Sequence, residues 1–475
     1  MKRRKFLKDA AITGTMTALA FHGLGKEATP QTEKINCLQP RDPSGHQFLF
    51  YSDSTSGQPG KPHEARHQKV IEMIKRLEHD PEFIAFPGDA VMTGSDERQW
   101  QHWLDVEMKW LKEKKYPLYQ STSNHHSLNP KSDELFRKYH PDIPQNGPKG
   151  LEGLAYYIRE GNLLYVSTHQ PIRSDYQGYD YMKDFSFSDT TWLDQVLEDN
   201  AEATYKLVVG HYPVFPVNGY LQAPQWCFKP EERAPFWNTL KKHRVDAYLC
   251  SHIIAFDVKV MDGILQICSG GAGTDFGPGG FMPGMTEYLH AAQVAIDKQG
   301  LRYQVLDTAG EIKESLSWPF PSSDPESWKQ ARELSLSTKE ANHILLLQLK
   351  GRYIRPAPYQ HSMELLTSED GRFWLGIDFR SERLMLRLYL RDIGEQYWTG
   401  PAIDYAGPIS LQLAFHPGMG PGGMLYRQDR QAHWSSMLSS SASGLETYEW
   451  PKYIQKEDEN LQVAYDLVQL PSIWT

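Results

Sequence analysis

The sequence holds four cysteines in 475 residues, too few to build a fold from disulfides. Cys37, Cys227, Cys250 and Cys268 could pair in an oxidising compartment, but their spacing fixes no connectivity. Positive charge is also scarce. Fifty Lys and Arg stand against 59 Asp and Glu, a formal net charge of -9. A nucleic-acid scaffold would carry a basic footprint, so no nucleic-acid partner is expected. Internal repeats are absent, which excludes solenoids and propeller arrays. No segment supplies the roughly 20 apolar residues of a comfortable membrane span. With 40% apolar and 23% charged residues, neither a disordered nor a fibrous chain is expected. Aromatics are plentiful at 12%, with 13 Trp and 25 Tyr, which suits β-sandwiches and carbohydrate-facing surfaces.

The first residues read as an address rather than as fold. Lys2 to Lys8 form a basic head with paired arginines at Arg3-Arg4, followed by a small, mostly apolar stretch from Ala10 to Ala20. This is an export pattern of the twin-arginine type, with Ala18-Leu19-Ala20 as cleavage site; the alternative is an uncleaved anchor. Residues 1–30 are therefore expected to be a signal peptide. The expected location is periplasmic or extracellular in a bacterium, with no stable membrane span once the signal is removed.

From about residue 45 to 312, apolar strand runs alternate with helical spacing. Phe48-Leu49-Phe50-Tyr51, Phe83-Ile84-Ala85-Phe86, Tyr205 to Val209 and Val245 to Cys250 read as strands. Glu64 to Leu77 reads as a helix with Val70, Ile71, Ile74 and Leu77 on one face. The expected class is α/β, a layered β-sandwich flanked by helices. Pro319, Pro321 and Pro325 among serines mark a linker over 313–340. Residues 341–475 then alternate with period two, as in Leu384-Met385-Leu386-Arg387-Leu388 and Ile409 to Phe415. That pattern, with Gly/Pro turns at 417–418 and 421–423, predicts a C-terminal all-β sandwich domain.

Polar residues at strand ends form the candidate site: Asp53, Gly88-Asp89, Asn124-His125, Gly210-His211 and His252. The crevice beyond strand C-termini is where open α/β sheets place ligands. One aspartate after a strand is usually a turn or cap residue, and one histidine is usually structural. Five such segments in order point instead to a metal. Carboxylate, amide and imidazole together suit Fe, Mn or Zn.

These segments resemble the calcineurin-like metallophosphoesterases, including purple acid phosphatases. That family's pattern is Asp-x-His, Gly-Asp, Gly-Asn-His-Asp/Glu, Gly-His and Gly-His-x-His. Here it stands as Ser52-Asp53-Ser54-Thr55, Gly88-Asp89-Ala90, Ser123-Asn124-His125-His126, Gly210-His211 and Ser251-His252-Ile253-Ile254. The resemblance covers about residues 45 to 310. It implies one metal held by Asp89, Asn124, His211 and His252, with Asp53 nearby. The other metal would need histidines where Thr55 and Ile254 stand, and Met92 occupies the position of a tyrosine that purple acid phosphatases use. The expected cofactor is thus one divalent ion, or two if Asp257, His126, His63 or His67 refill the emptied site. His125 matches the histidine that protonates the leaving group, while His126 replaces the carboxylate expected to orient it.

The resemblance implies an exported hydrolase of phosphate esters that uses a metal-bound water and His125 as acid. The alternative is a catalytically silent phosphoesterase fold that binds a surface partner through its sandwich. The C-terminal stretch around Ser410 to Gly418 resembles concanavalin-A-like or laminin-G-like sandwiches. Trp374, Trp398 and Trp434 could there stack on a glycan, or instead pack in the interior.

Overall fold

A computed structural model of the chain describes residues 33–173, 182, 185–215, 217, 226–275 and 288–320, together with the backbone of strands between 329 and 469. The expected signal peptide, the turns at 417–418 and 421–423, and the side chains of Trp374, Trp398 and Trp434 lie outside the described residues. In chain order the first elements are β1 (His46–Phe50), α1 (Pro62–Ile74), β2 (Ile84–Phe86), α2 (Glu97–His102), a π-turn over Trp103–Glu107, α3 (Lys109–Lys114), β3 (Leu118–Gln120) and α4 (Pro130–Tyr139). There follow β4 (Tyr156–Glu160), β5 (Leu163–Ser167), α5 (Thr191–Asp199), β6 (Tyr205–Val209), α6 (Pro230–Lys242), β7 (Ala247–Cys250), β8 (Phe256–Met261), β9 (Ile264–Ser269), β10 (His290–Asp297), β11 (Gly300–Asp307) and β12 (Ile312–Trp318).

Two six-stranded mixed sheets result, in the orders β12-β11-β10-β1-β2-β3 and β4-β5-β6-β7-β9-β8. Strands β1, β2 and β3 run parallel, as do β5, β6, β7 and β9. Parallel strands need covering on both faces, and so read as continuous apolar runs. The second sheet shows how period two divides them. Leu163, Tyr165, Leu207, Val209, Ala247, Leu249, Leu265 and Ile267 pack into the core shared with the first sheet. Their neighbours Leu164, Val166, Val208, Tyr248, Cys250 and Cys268 pack with Leu193, Val196 and Leu197 of α5 and Phe236, Trp237 and Leu240 of α6. Helix α1 covers the first sheet with Val70, Ile71 and Ile74, joined by Trp100 and Trp103.

The helix read over Glu64 to Leu77 begins two residues earlier. Pro62 sits at its start, where a missing N–H costs nothing. It also ends earlier: Leu77 is buried beyond the helix and bridges to Ile35. Within the stretch read as a linker, β12 continues the first sheet as far as Trp318. Pro319 follows directly on the last paired residue. All four cysteines are buried and unpaired.

Beyond residue 328 the backbone forms two further six-stranded sheets, whose pairs are antiparallel. The alternating segments read from sequence fall in the strands Arg383–Leu390 and Pro408–His416. The strand His343–Arg352 pairs on one side with Pro408–His416 and on the other with Leu461–Gln469. Leu346 of that strand is buried in the same apolar cluster as β10 to β12.

Burial holds three histidines of this fold neutral. Desolvation lowers His140 to about 4, His169 to about 3 and His290 to about 4, from 6.5. The unfolded chain takes up these protons below pH 6.5 and the folded chain does not. Stability is therefore full above pH 6.5 and falls as pH drops toward 4, by up to about 1.4 kcal/mol per pH unit for each group. Urea midpoints at pH 7.5 and 5.0 should differ accordingly, and His140→Gln should flatten the dependence. An identical pH dependence in wild type and His140→Gln would contradict the assignment.

Candidate metal centre

All five predicted segments lie just beyond strand C-termini: Asp53 after β1, Asp89 after β2, Asn124 and His125 after β3, His211 after β6, His252 after β7. Each sheet thus contributes neighbouring parallel strands, and the two sets of loops meet at one edge of the sandwich. The backbone there is strained. Asp53, Asp89 and His252 all adopt left-handed conformations, with φ of 65°, 52° and 68°. Such residues cost energy in isolation and persist where the surroundings over-determine them, commonly at functional sites. Gly88 has φ 129°, and a Cβ there would lie 2.6 Å from Ser123 Cβ and 2.8 Å from His211 Nδ1. Only glycine allows β2's loop to press against that imidazole.

Asp89, His211 and His252 each offer a ligand atom within 4.8 Å of the others. Asn124 Oδ1 completes the set, 2.7 Å from His211 Nε2 and 3.1 Å from His252 Nδ1. The two imidazole nitrogens face each other at 3.0 Å. His211 Nδ1 faces the Pro87 carbonyl at 3.1 Å. Nε2 faces the amide oxygen, the other imidazole and, at 3.4 Å, Asp89 Oδ2. Four potential ligand groups converging on one point suit a cation. The donor set of carboxylate, amide oxygen and two imidazoles fits a borderline divalent metal.

Asp53 stands beside this group. Its Oδ2 accepts the His252 N–H at 3.3 Å, while buried Oδ1 has no hydrogen-bond partner among the described residues. Desolvation, then the Asp89 charge, push it up to about 7. Burial would raise Asp89 too, but the His211 charge and hydrogen bond hold it well below the carboxylate range. For His211, burial opposes protonation and the Asp89 carboxylate outweighs it, giving a raised pKa.

The candidates for refilling the first metal position go elsewhere. His126 is fully buried and accepts the Ala90 N–H at 2.8 Å, with its pKa lowered to about 3 by desolvation. His63 turns Nδ1 to the Thr55 carbonyl at 2.9 Å and Nε2 to Asp275. His67 pairs with Glu107 at 2.7 Å. Asp257 is buried in β8. The Thr55 hydroxyl meets Thr274 Oγ1 at 2.5 Å and His63 Nδ1 at 3.2 Å.

His125 is held differently from expectation. Its Nδ1 donates to the Met92 carbonyl at 2.6 Å, and Nε2 lies 3.9 Å from Asp89 Oδ2. A backbone oxygen does the orienting that the resemblance assigned to a carboxylate at position 126. Sequence reasoning missed two more contributors. Ser123 Oγ accepts the Asp89 N–H at 3.0 Å, and Ser251 Oγ lies 3.0 Å from His211 Nδ1. Both serines occupy positions where the family pattern has glycine, so the signal was present as two departures. Tyr212 and Trp226 flank the His252 ring, at centroid distances of 4.4 and 5.4 Å.

Residues 46–256 match the family model of the calcineurin-like phosphoesterases. This stretch is a calcineurin-like phosphoesterase domain. Its family uses divalent metals and acts on phosphate esters. No curated protein matches the chain. Among solved structures, a purple acid phosphatase from yellow lupin seeds is similar at 14% identity and TM-score 0.41, over 58% of this chain. The match spans 54% of the lupin protein, about half its length. A dimetal phosphatase from Danio rerio is similar at 14% identity and TM-score 0.36, over 55% of this chain and 95% of its own. A putative 5'-nucleotidase from Staphylococcus aureus shares 10% identity at TM-score 0.35, over 78% of this chain and 90% of its own.

The packing at Gly88 gives the phosphoesterase domain a sharp test. Gly88→Ala should displace His211 and lower zinc retention after dialysis at least about tenfold, corresponding to about 1.4 kcal/mol. Metal analysis of the folded variant checks this. Unaltered retention would mean that the His211 imidazole is not held by that contact.

Proposed function

We propose that the chain is an exported, metal-dependent hydrolase of phosphate esters. Its centre would be a single divalent ion held by Asp89, Asn124, His211 and His252, with His125 as acid. The observation that carries this reading is the convergence of four ligand atoms, from loops of both sheets, next to a histidine whose ring is fixed by one nitrogen. The twin-arginine head supports export, and the destination is the periplasm or cell surface.

A bound ion would supply Lewis acidity toward a phosphoryl oxygen and lower the pKa of water. The protein's own groups do the rest. The Met92 carbonyl accepts the hydrogen bond of His125 Nδ1–H, which leaves Nε2 to carry the proton given to the leaving-group oxygen. Asp89 Oδ2 lies 3.9 Å from that Nε2. Ser123 and Ser251 hold the Asp89 backbone and the His211 ring in place, as outer hydrogen bonds commonly do around metal ligands. Thr55 and Ile254 supply no imidazole for a second ion. The engagement of Thr55 with Thr274 favours a second reading, a domain that binds a partner without turnover.

Hydrolysis of aryl phosphates with Mn, Fe or Zn separates the two readings. Wild type should turn over. Asp89→Ala and His252→Ala should lose activity together with one equivalent of metal. His125→Ala should lower kcat by about 10²–10⁴-fold on phenyl phosphate. The loss should be smaller on nitrophenyl phosphate, whose leaving group needs less protonation. Absence of turnover with every metal sinks the hydrolase and leaves the binding reading. An equal loss on both substrates removes His125 as the acid.

A further inference from the structure

We propose a second divalent-cation site outside the phosphoesterase centre, formed by Glu64 of α1, His102 at the end of α2 and Glu107 of the π-turn. One ligand atom from each of the three lies within 4.8 Å of the others. None of the three belongs to the motifs that define the first centre.

The local backbone explains how they meet. Residues five apart sit about 140° apart around an α-helix of 3.6 residues per turn. His102 and Glu107 would therefore face different ways. The π-turn, closed by Met108 N–H onto the Trp103 carbonyl at 2.8 Å, winds more loosely and brings them to one side. That side faces α1, where Glu64 lies in the first turn.

The cluster offers a cation two carboxylates and one imidazole. Glu107 is buried, yet among the described residues neither it nor Glu64 has a lysine or arginine within ion-pair distance; their charged neighbours are His67 and His102. Two carboxylates thus converge without a fixed positive charge, one of them away from water. Buried carboxylates are normally paired or bound to metal. Glu107 is already held in place by Ser56 Oγ at 2.6 Å, Gly57 N–H at 2.8 Å and His67 at 2.7 Å. Such outer hydrogen bonds are those that metal-held carboxylates carry. His67 Nε2, fully buried, has no partner among the described residues, so this imidazole serves Glu107 alone. Two carboxylates and one imidazole suit zinc or a similar divalent transition ion. Glu64 and His102 are partly exposed, so an ion can enter and keep water as its remaining ligands. Through Glu107 the ion would anchor the Ser56-Gly57 turn, which follows directly on Asp53 to Thr55. The site is a brace for the loop that carries Asp53, independent of whether the first centre turns over substrate.

Zinc content tests the proposal. The full chain is loaded with Zn²⁺, dialysed exhaustively without chelator and analysed. Wild type should retain about two ions per chain, and His102→Ala and Glu64→Gln about one each. Glu64→Gln keeps the side chain's size while removing its charge, and far-UV circular dichroism confirms the fold of each variant. Co²⁺ substitution adds a visible band that His102→Ala should weaken. Zinc content equal to wild type in both variants overturns the site. His252→Ala reports separately on the other centre: if it alone loses an ion, this proposal fails, and if only the His102 and Glu64 variants do, the phosphoesterase centre fails.

Discussion

The meeting of Asp89 with His211 is the constraint on which the rest depends. One comes from the loop after β2, the other from the loop after β6, so the contact ties one sheet of the sandwich to the other. Neither group is comfortable alone. A buried carboxylate and a buried imidazole each lose hydration, and only their mutual proximity makes the burial tolerable. Gly88 lets the loop approach, Pro87 fixes the ring, and the Ser123 hydroxyl receives the Asp89 N–H. The left-handed backbone at Asp53, Asp89 and His252 is stored in this assembly rather than relieved by it.

Strand ends were legible because strands buried on both faces are written as unbroken apolar runs. Phe48-Leu49-Phe50 and Ile84-Ala85-Phe86 could be little else. Asp53, Asp89, Asn124, His211 and His252 followed as the polar residues at those ends. The convergence itself was not legible. Nothing in spacing states that the loops after β1 to β3 and after β6 and β7 belong to opposite sheets meeting at one edge. The role of Met92 was hidden for another reason: its contribution is a carbonyl, which every residue has. The serines at 123 and 251 were visible as departures from a glycine pattern, but their meaning depended on which atoms lay opposite. The π-turn at Trp103–Glu107 left no periodic signal, because five residues are too few to break a helical pattern.

The departures from the family pattern fall on two sides of the cluster of Asp89, Asn124, His211 and His252. Thr55 has been drawn into a hydroxyl pair with Thr274, and His63 sits behind it bonded to the backbone of Thr55. On the other side, Ser123 and Ser251 stand at two glycine positions of that pattern, and their hydroxyls contact the Asp89 backbone and the His211 ring.

The tether on His125 has a consequence for how such a protein can change. Because the main chain at position 92 steers the ring, the residue there is answerable only for the path of its turn. A wide range of side chains can come and go there without turning the ring, so long as the carbonyl keeps its heading. Comparison of side chains would record drift at the very spot where the ring is anchored.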